Sequence, residues 1–237
     1  MFFDNLINKS IDYIMQNYKN PTIAIIDSGI GGVSVLNQIV QKFKAGNYIY
    51  LADNLNMPYG NKSKNWLRKR TLYLIKCLKE KYVVDYVIVA CNTASSAILD
   101  IKDKRVYKLK FNKNETYLAT KLTKYNLNEI KVIADNRLAK QIESNIFNKK
   151  ILNQIVKQHV KIHNLRANKR IVLGCTHFEL VKEFFEKFCE ETKFINNSSF
   201  LIDELDFKIS LSELNIMVLL TKNNEVLKDK IIKLIRS

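Results

Sequence analysis

The sequence is poor in the residues that make turns. It has 6 glycines and 2 prolines in 237 residues, where average usage would give about 17 and about 12. That scarcity excludes collagen-like chains, Gly/Ser linkers and Pro-rich disorder. It also makes each glycine informative. Gly29, Gly31 and Gly32 cluster in one stretch, Gly60 follows Pro58-Tyr59, Gly174 precedes Cys175, and only Gly46 stands apart. Their grouping is expected to mark where backbone comes close to a ligand. Long apolar runs are missing too. The longest, such as Tyr86–Cys91 and Ile216–Leu220, fall far below the roughly 18 residues that span a bilayer. Met1–Ser10 has neither a basic n-region nor an apolar h-region, so no signal peptide is expected. The four cysteines are spaced 14, 84 and 14 residues apart, which argues against the closely paired ligands of a structural zinc site. Free thiols in a reducing cytoplasm are the expectation, with no bound metal.

Acidic residues are the other shortage. There are 23 against 39 basic residues, for a net charge of +16. A nucleic-acid or anionic partner is one reading. Against it, Lys outnumbers Arg 32 to 7 and 26 Asn accompany them over the whole length. A nucleic-acid footprint clusters on one element and favours Arg. The charge is therefore read as a compositional bias, with a basic regulatory or nucleic-acid-binding protein kept as a competing reading.

What is present is an alternation of strands and helices. Apolar, β-branched runs at Thr22–Ile26, Tyr48–Ala52, Val83–Ala90, Arg105–Leu109, Thr116–Ala119, Ile130–Ile133, Arg170–Leu173, Phe194–Ile195 and Asn215–Leu220 read as strands. Helical spacing marks Phe3–Tyr18, Gly31–Phe43, Lys64–Lys81, Thr93–Leu99, Asn136–Asn145, Lys149–His163, Phe178–Glu190, Ser199–Leu205 and Glu225–Ile235. The pattern predicts an α/β fold with mostly parallel sheets. Such sheets carry their sites beyond the carboxyl ends of strands. One internal echo stands out. Val87–Thr93 and Ile171–His177 each run as apolar strand, small residue, Cys, two polar residues, then helix. Two similar half-domains are expected, each offering a thiol at a strand end.

Asp27-Ser28-Gly29-Ile30-Gly31-Gly32 follows the first strand and opens a helix. It lacks the spacing of a dinucleotide fingerprint and the Gly-Lys-Ser/Thr of a P-loop. Cys91 and Cys175 sit where strand gives way to helix, and a helix N-terminus lowers a thiol pKa from about 8.5 toward neutrality. Cys77 and Cys189 fall inside helices and read as buried hydrophobes. Cys175-Thr176-His177 also suits a Cys–His nucleophile, but that would leave Cys91 idle. Inverting an α-carbon uses both, one thiolate removing a proton and one thiol delivering another to the opposite face. Asp27 and His177 are placed to assist, and the loops after Asp27, Cys91 and Cys175 to hold substrate carboxylates. The scheme needs no cofactor.

Ile25–Gly32, Ala52-Asp53 through Met57-Pro58-Tyr59-Gly60, Val89–Ser95 and Leu173–Phe178 together resemble glutamate racemase, within the aspartate/glutamate racemase superfamily. The resemblance spans about Pro21 to Ile235. It implies two pseudo-symmetric three-layer α/β lobes with the active site in the cleft between them. The first lobe is expected over 1–100 with an extra N-terminal helix at about 1–20, the second over 101–199, and a segment 200–237 returning to the first. It implies cofactor-free interconversion of L- and D-glutamate supplying peptidoglycan precursors, in a cytoplasmic homodimer, with an aspartate or other acidic amino-acid racemase as the alternative. Cys91 and Cys175 match the family's acid/base pair, and Asp27, His177 and Glu143 its assisting residues. Ser28, Tyr59, Gly60, Asn92, Thr93, Thr120 and Thr176, with Asp27 and His177, match substrate contacts. The matched pattern is lost between Ile98 and Asn112 and near Asn196–Ser199.

Overall fold

The computed structural model describes residues 20–127, 129–210 and 213–236. The helix expected at about 1–20 falls on residues 1–19, outside this range. The first sheet is built from β1 (Thr22–Asp27), β2 (Gly46–Ala52), β3 (Tyr86–Val89), β4 (Val106–Lys108) and β9 (Leu214–Leu220). The second is built from β5 (Thr116–Ala119), β6 (Lys131–Ala134), β7 (Arg170–Gly174) and β8 (Lys193–Asn196). Every pairing in both sheets is parallel. The helices are α1 (Val33–Phe43), α2 (Lys64–Tyr82), α3 (Asn92–Ser96), α4 (Lys121–Asn126), α5 (Leu138–Asn145), α6 (Lys149–Ile162), α7 (Thr176–Glu179), α8 (Lys182–Phe188), α9 (Asn197–Glu204) and α10 (Glu225–Arg236).

Strand β1 shows why the central runs are apolar throughout. Ile23 and Ile25 pack with Leu36 and Ile39 of α1 and Ile231 of α10. Ala24 and Ile26 face the other way, onto Leu74 and Leu78 of α2 and Ala94 of α3. A strand covered on both faces has no polar side to show. The second sheet is clothed by Leu152, Val156 and Val160 of α6 and Phe185 of α8. Its opposite face carries Tyr117, Val132 and Val172 under Phe111, Ile130 and Phe200.

The first sheet runs β9-β2-β1-β3-β4 and the second β6-β5-β7-β8. Set β9 aside and both read second, first, third, fourth in their own order. The internal echo is therefore topological. Cys91 follows the third strand of one sheet and Cys175 the third strand of the other. In each sheet the order reverses between the first and third strands, which is where an open α/β sheet leaves a crevice.

Three details depart from the sequence expectations. Val83 does not open a strand but ends α2 in the left-handed region, at φ 48°, and β3 begins only at Tyr86, where pairing with Ile23 starts. Strand β4 lies beyond residue 100 yet pairs with β3, Val106 opposite Val87, so the first sheet extends past the expected lobe boundary. The helix expected over Phe178–Glu190 is broken. Val181 N bonds to Phe178 O at 3.2 Å and Phe184 N to Val181 O at 3.0 Å, tight turns that separate α7 from α8.

Candidate active site between the two sheets

A cleft of about 490 Å³ opens at the carboxyl ends of β1, β3, β5 and β7. Its size suits a small-molecule site. Cys91 and Cys175 both line it, together with Ser28, Tyr59, Gly60, Asn92, Thr93, Thr120, Glu143, Thr176 and His177. Of the residues singled out from the sequence, Asp27 alone does not reach the cleft. It is fully buried, its Oδ1 accepting from Gly29 N at 3.0 Å and its Oδ2 from Thr176 Oγ1 at 3.1 Å. Asp27 thus ties the first strand of one sheet to the start of α7 after Cys175 on the other. Burial raises its carboxyl pKa, against the pull of His177 and those two hydrogen bonds.

The two thiols sit in different surroundings. Cys91 precedes α3 and meets the backbone N–H groups of Ala94 and Thr93. Even so its pKa is pushed well up, first by burial and then by the charge of Asp27, with Cys175 adding to it. The lowering expected from a helix N-terminus is outweighed, because α3 is only one short turn in a dry wall. Cys91 therefore rests as a thiol. Cys175 Sγ lies 4.0 Å from His177 Nδ1, and His177 Nε2 lies 2.7 Å from Glu143 Oε2. Burial alone would keep this imidazole neutral. The contacts with Cys175 and Glu143 win, and its pKa stands well above the ordinary histidine value.

The remaining wall is polar and mutually braced. The hydroxyls of Thr93, Thr120 and Thr123 form a triangle with sides of 3.1, 3.1 and 2.9 Å. Thr120 also caps α4 by accepting from Thr123 N. Tyr59 donates its hydroxyl to Asp53 Oδ2 at 2.7 Å, so it offers the cleft its ring rather than its oxygen. Asp53 is held in turn by Arg70 through two bonds of 2.9 and 2.7 Å. Asn92 Oδ1 accepts from Asn197 Nδ2 at 2.7 Å. Among the described residues, Asn92 Nδ2 and Glu143 Oε1 are buried with no hydrogen-bond partner.

Several lining residues were not anticipated. Asn61, Asn136, Ala139, Lys140 and Ser144 complete the cleft, beside Met57 and Pro58 of the Met57–Gly60 motif. Lys140 was legible in principle, since it lies three residues before Glu143 on the same helix, and Ser144 in turn lies four after Lys140. Gly31 does something other than expected. A Cβ on Gly31 would stand 2.4 Å from Thr176 Oγ1 and 2.7 Å from His177 Nδ1. The loop after β1 is bare so that the two lobes can meet.

No family model matches the chain. It is 35% identical over 211 residues to the glutamate racemase of Buchnera aphidicola subsp. Schizaphis graminum (strain Sg), covering 77% of this chain and 82% of that protein. It is 30% identical over 242 residues to the glutamate racemase of Buchnera aphidicola subsp. Acyrthosiphon pisum (strain APS), covering 86% and 92%. Among solved structures, the glutamate racemase of Campylobacter jejuni subsp. jejuni superposes with a TM-score of 0.71 at 26% identity, over 90% of this chain and 98% of that one.

Proposed function

The chain belongs to the glutamate racemase family and is an isomerase of glutamate, and we propose that it works by two-base proton transfer between Cys91 and Cys175 without a cofactor. The observation that carries this reading is the matched position of the two cysteines. Each follows the third strand of a parallel sheet with the same strand order, and both face one cleft. A thiolate on one side takes the α-proton, and the electron pair left on the α-carbon is delocalised into the adjacent carboxylate. The thiol on the other side delivers its proton to the opposite face. One proton is removed and one is added, so the product differs only in configuration, and the two sulfurs have exchanged protonation states.

Supporting roles follow from the geometry. Cys91, resting as a thiol, is the donor for the enantiomer whose α-proton faces Cys175. His177, charged and braced by Glu143, stabilises the Cys175 thiolate. Asp27 acts behind the wall, holding Thr176 in place. The unpartnered Asn92 Nδ2 suits a substrate carboxylate, and Glu143 Oε1 suits the substrate ammonium. Ser28, Thr93, Thr120 and Thr176 supply further hydroxyls, with Tyr59 and Gly60 closing one side. A role in supplying D-glutamate for peptidoglycan precursors belongs to the same reading. Assembly as a homodimer belongs to it as well, and light scattering on the purified chain checks it.

The test is circular dichroism of L- and D-glutamate incubated with the protein, combined with α-proton exchange in D₂O. Racemisation with solvent deuterium in the product is expected. Cys91→Ala and Cys175→Ala should each reduce the rate by at least about 10³-fold. Undiminished turnover in either variant would sink the two-base scheme.

A further inference from the structure

The cysteine spacing argues against a zinc site of the ribbon type, but it leaves the histidines unread. Two of the chain's three, His159 and His163, are four residues apart at the end of α6. That spacing puts both rings on one face of a helix, as in many metal sites. The rings stack at 6.0 Å and converge on Asp135, which lies between β6 and α5. His159 Nδ1 contacts Asp135 Oδ2 closely. His163 Nε2 lies 2.7 Å from the same oxygen.

We propose that Asp135, His159 and His163 form a site for one divalent transition-metal ion of the zinc class, separate from the catalytic cleft. Their three donor atoms all lie within 4.8 Å of one another. Tetrahedral zinc with bonds of about 2.0–2.2 Å spaces its donors about 3.4 Å apart, so small ring rotations open the cluster to the ion. Two of the three groups are already oriented. Asp135 Oδ1 accepts from the backbone N–H groups of Arg137 and Leu138 at 2.8 and 2.9 Å, which leaves Oδ2 as the ligand atom. His159 Nε2 donates to Gln141 Oε1 at 2.7 Å, which leaves Nδ1 to face the ion. An outer partner on the far ring nitrogen is the usual support of a ligating histidine. Asp135 and His159 are buried and His163 is partly open to solvent. Three protein ligands and one side toward water make a site that water completes as the fourth ligand.

The mixed nitrogen and oxygen donor set suits zinc better than the hard cations calcium and magnesium. An ion here would pin the end of α6 to the start of α5. Helix α5 carries Lys140, Glu143 and Ser144 of the cleft. The ion would brace the fold and take no part in the proposed racemisation, so its occupancy is read by binding and not by turnover.

The test is equilibrium dialysis of the full chain against Zn²⁺, with electronic spectra of the Co²⁺-loaded protein. One equivalent of zinc is expected, and cobalt should show ligand-field bands without a thiolate-to-metal charge-transfer band. Losing even an outer partner of a ligand costs about 10–100-fold in affinity, so His163→Ala should weaken zinc by more than 100-fold. His163 follows the last turn of α6, so this variant should keep the far-ultraviolet dichroism of the parent, and Gln141→Ala gives a milder second variant with a loss of about 10-fold. No zinc bound by the parent, equal binding in His163→Ala, or a thiolate band showing that cysteines hold the metal would each overturn the proposal.

Discussion

Nε2 of His177 lies 2.7 Å from Oε2 of Glu143, across the gap between helices α7 and α5. Together with the contact to Cys175, this contact keeps the imidazole charged in a wall where burial would discharge it. Glu143→Gln removes the charge and keeps the shape. His177 should then lose its proton at lower pH, and the alkaline limb of kcat should move down the pH scale. The rate should fall by about 10²-fold, more in the direction in which Cys175 must become a thiolate. Initial rates from both enantiomers across pH measure this. An unmoved alkaline limb would remove Glu143 from the proton relay.

Gly31 and Gly60 make opposite predictions. A Cβ on Gly31 meets Thr176 Oγ1 at 2.4 Å and the backbone nitrogen of His177 at 2.9 Å. Backbone cannot swing aside as a side chain does, so Gly31→Ala should force the lobes apart. A loss of about 1–3 kcal/mol in denaturant unfolding is expected, with kcat and KM both worsened. A Cβ on Gly60 meets nothing nearer than Thr120 Cβ at 3.8 Å. Gly60→Ala should therefore keep the stability of the parent, and its effect should fall on KM, because Gly60 lines the cleft.

These contrasts show where sequence reading succeeds and stops. The strand-end motifs were legible because each packs its chemistry into a few consecutive residues after an apolar run. Val87–Thr93 and Ile171–His177 place a thiol at a strand end by pattern alone. Contacts between distant segments leave no such trace. Asn197 bonds to Asn92 across 105 residues, and nothing in the periodicity of either segment pairs them. Asp27 looked like a cleft residue because its motif ends a strand, yet side-chain alternation turns it inward. The thiol of Cys91 was expected to be acidic from its helix, but burial, which depends on the whole fold, decides the opposite.

Glu179 is a buried carboxyl outside the catalytic set. It accepts from Ser198 Oγ at 2.6 Å, Ser198 N at 3.1 Å and Ser34 Oγ at 3.0 Å, joining α1, α7 and α9. Burial raises its pKa to about 7 despite those bonds. Unfolded, it would titrate near 4.3. The folded state therefore binds the extra proton between these values, and its stability is lost as pH rises from about 4.3 through about 7. The span corresponds to about 4 kcal/mol. Glu179→Gln should flatten this slope while the parent shows it. Urea unfolding at pH 5 and pH 8 gives both numbers, and identical slopes would mean that Glu179 does not carry the dependence.

Arg70 and Asp53 make the converse case. Asp53 is fully buried, and its carboxyl is held below the usual carboxylate range. Burial pushes it up, but the hydrogen bonds from Arg70, Tyr59 and Asn56 outweigh that. Arg70→Ala would leave a buried anion without its cation, a loss of about 3–5 kcal/mol for a fully buried pair. The Arg70 side chain is 19% exposed, so the low end of that range is expected at pH 7. A depressed folded pKa contributes stability above the unfolded value and loses it as pH falls. The deficit of the variant should therefore shrink below about pH 4. The loss should also reach the cleft, because Arg70 no longer fixes the Asp53 carboxylate that holds the Tyr59 hydroxyl, and KM for glutamate should rise. A destabilised variant with an unchanged KM would show that the ion pair supports the fold without positioning Tyr59.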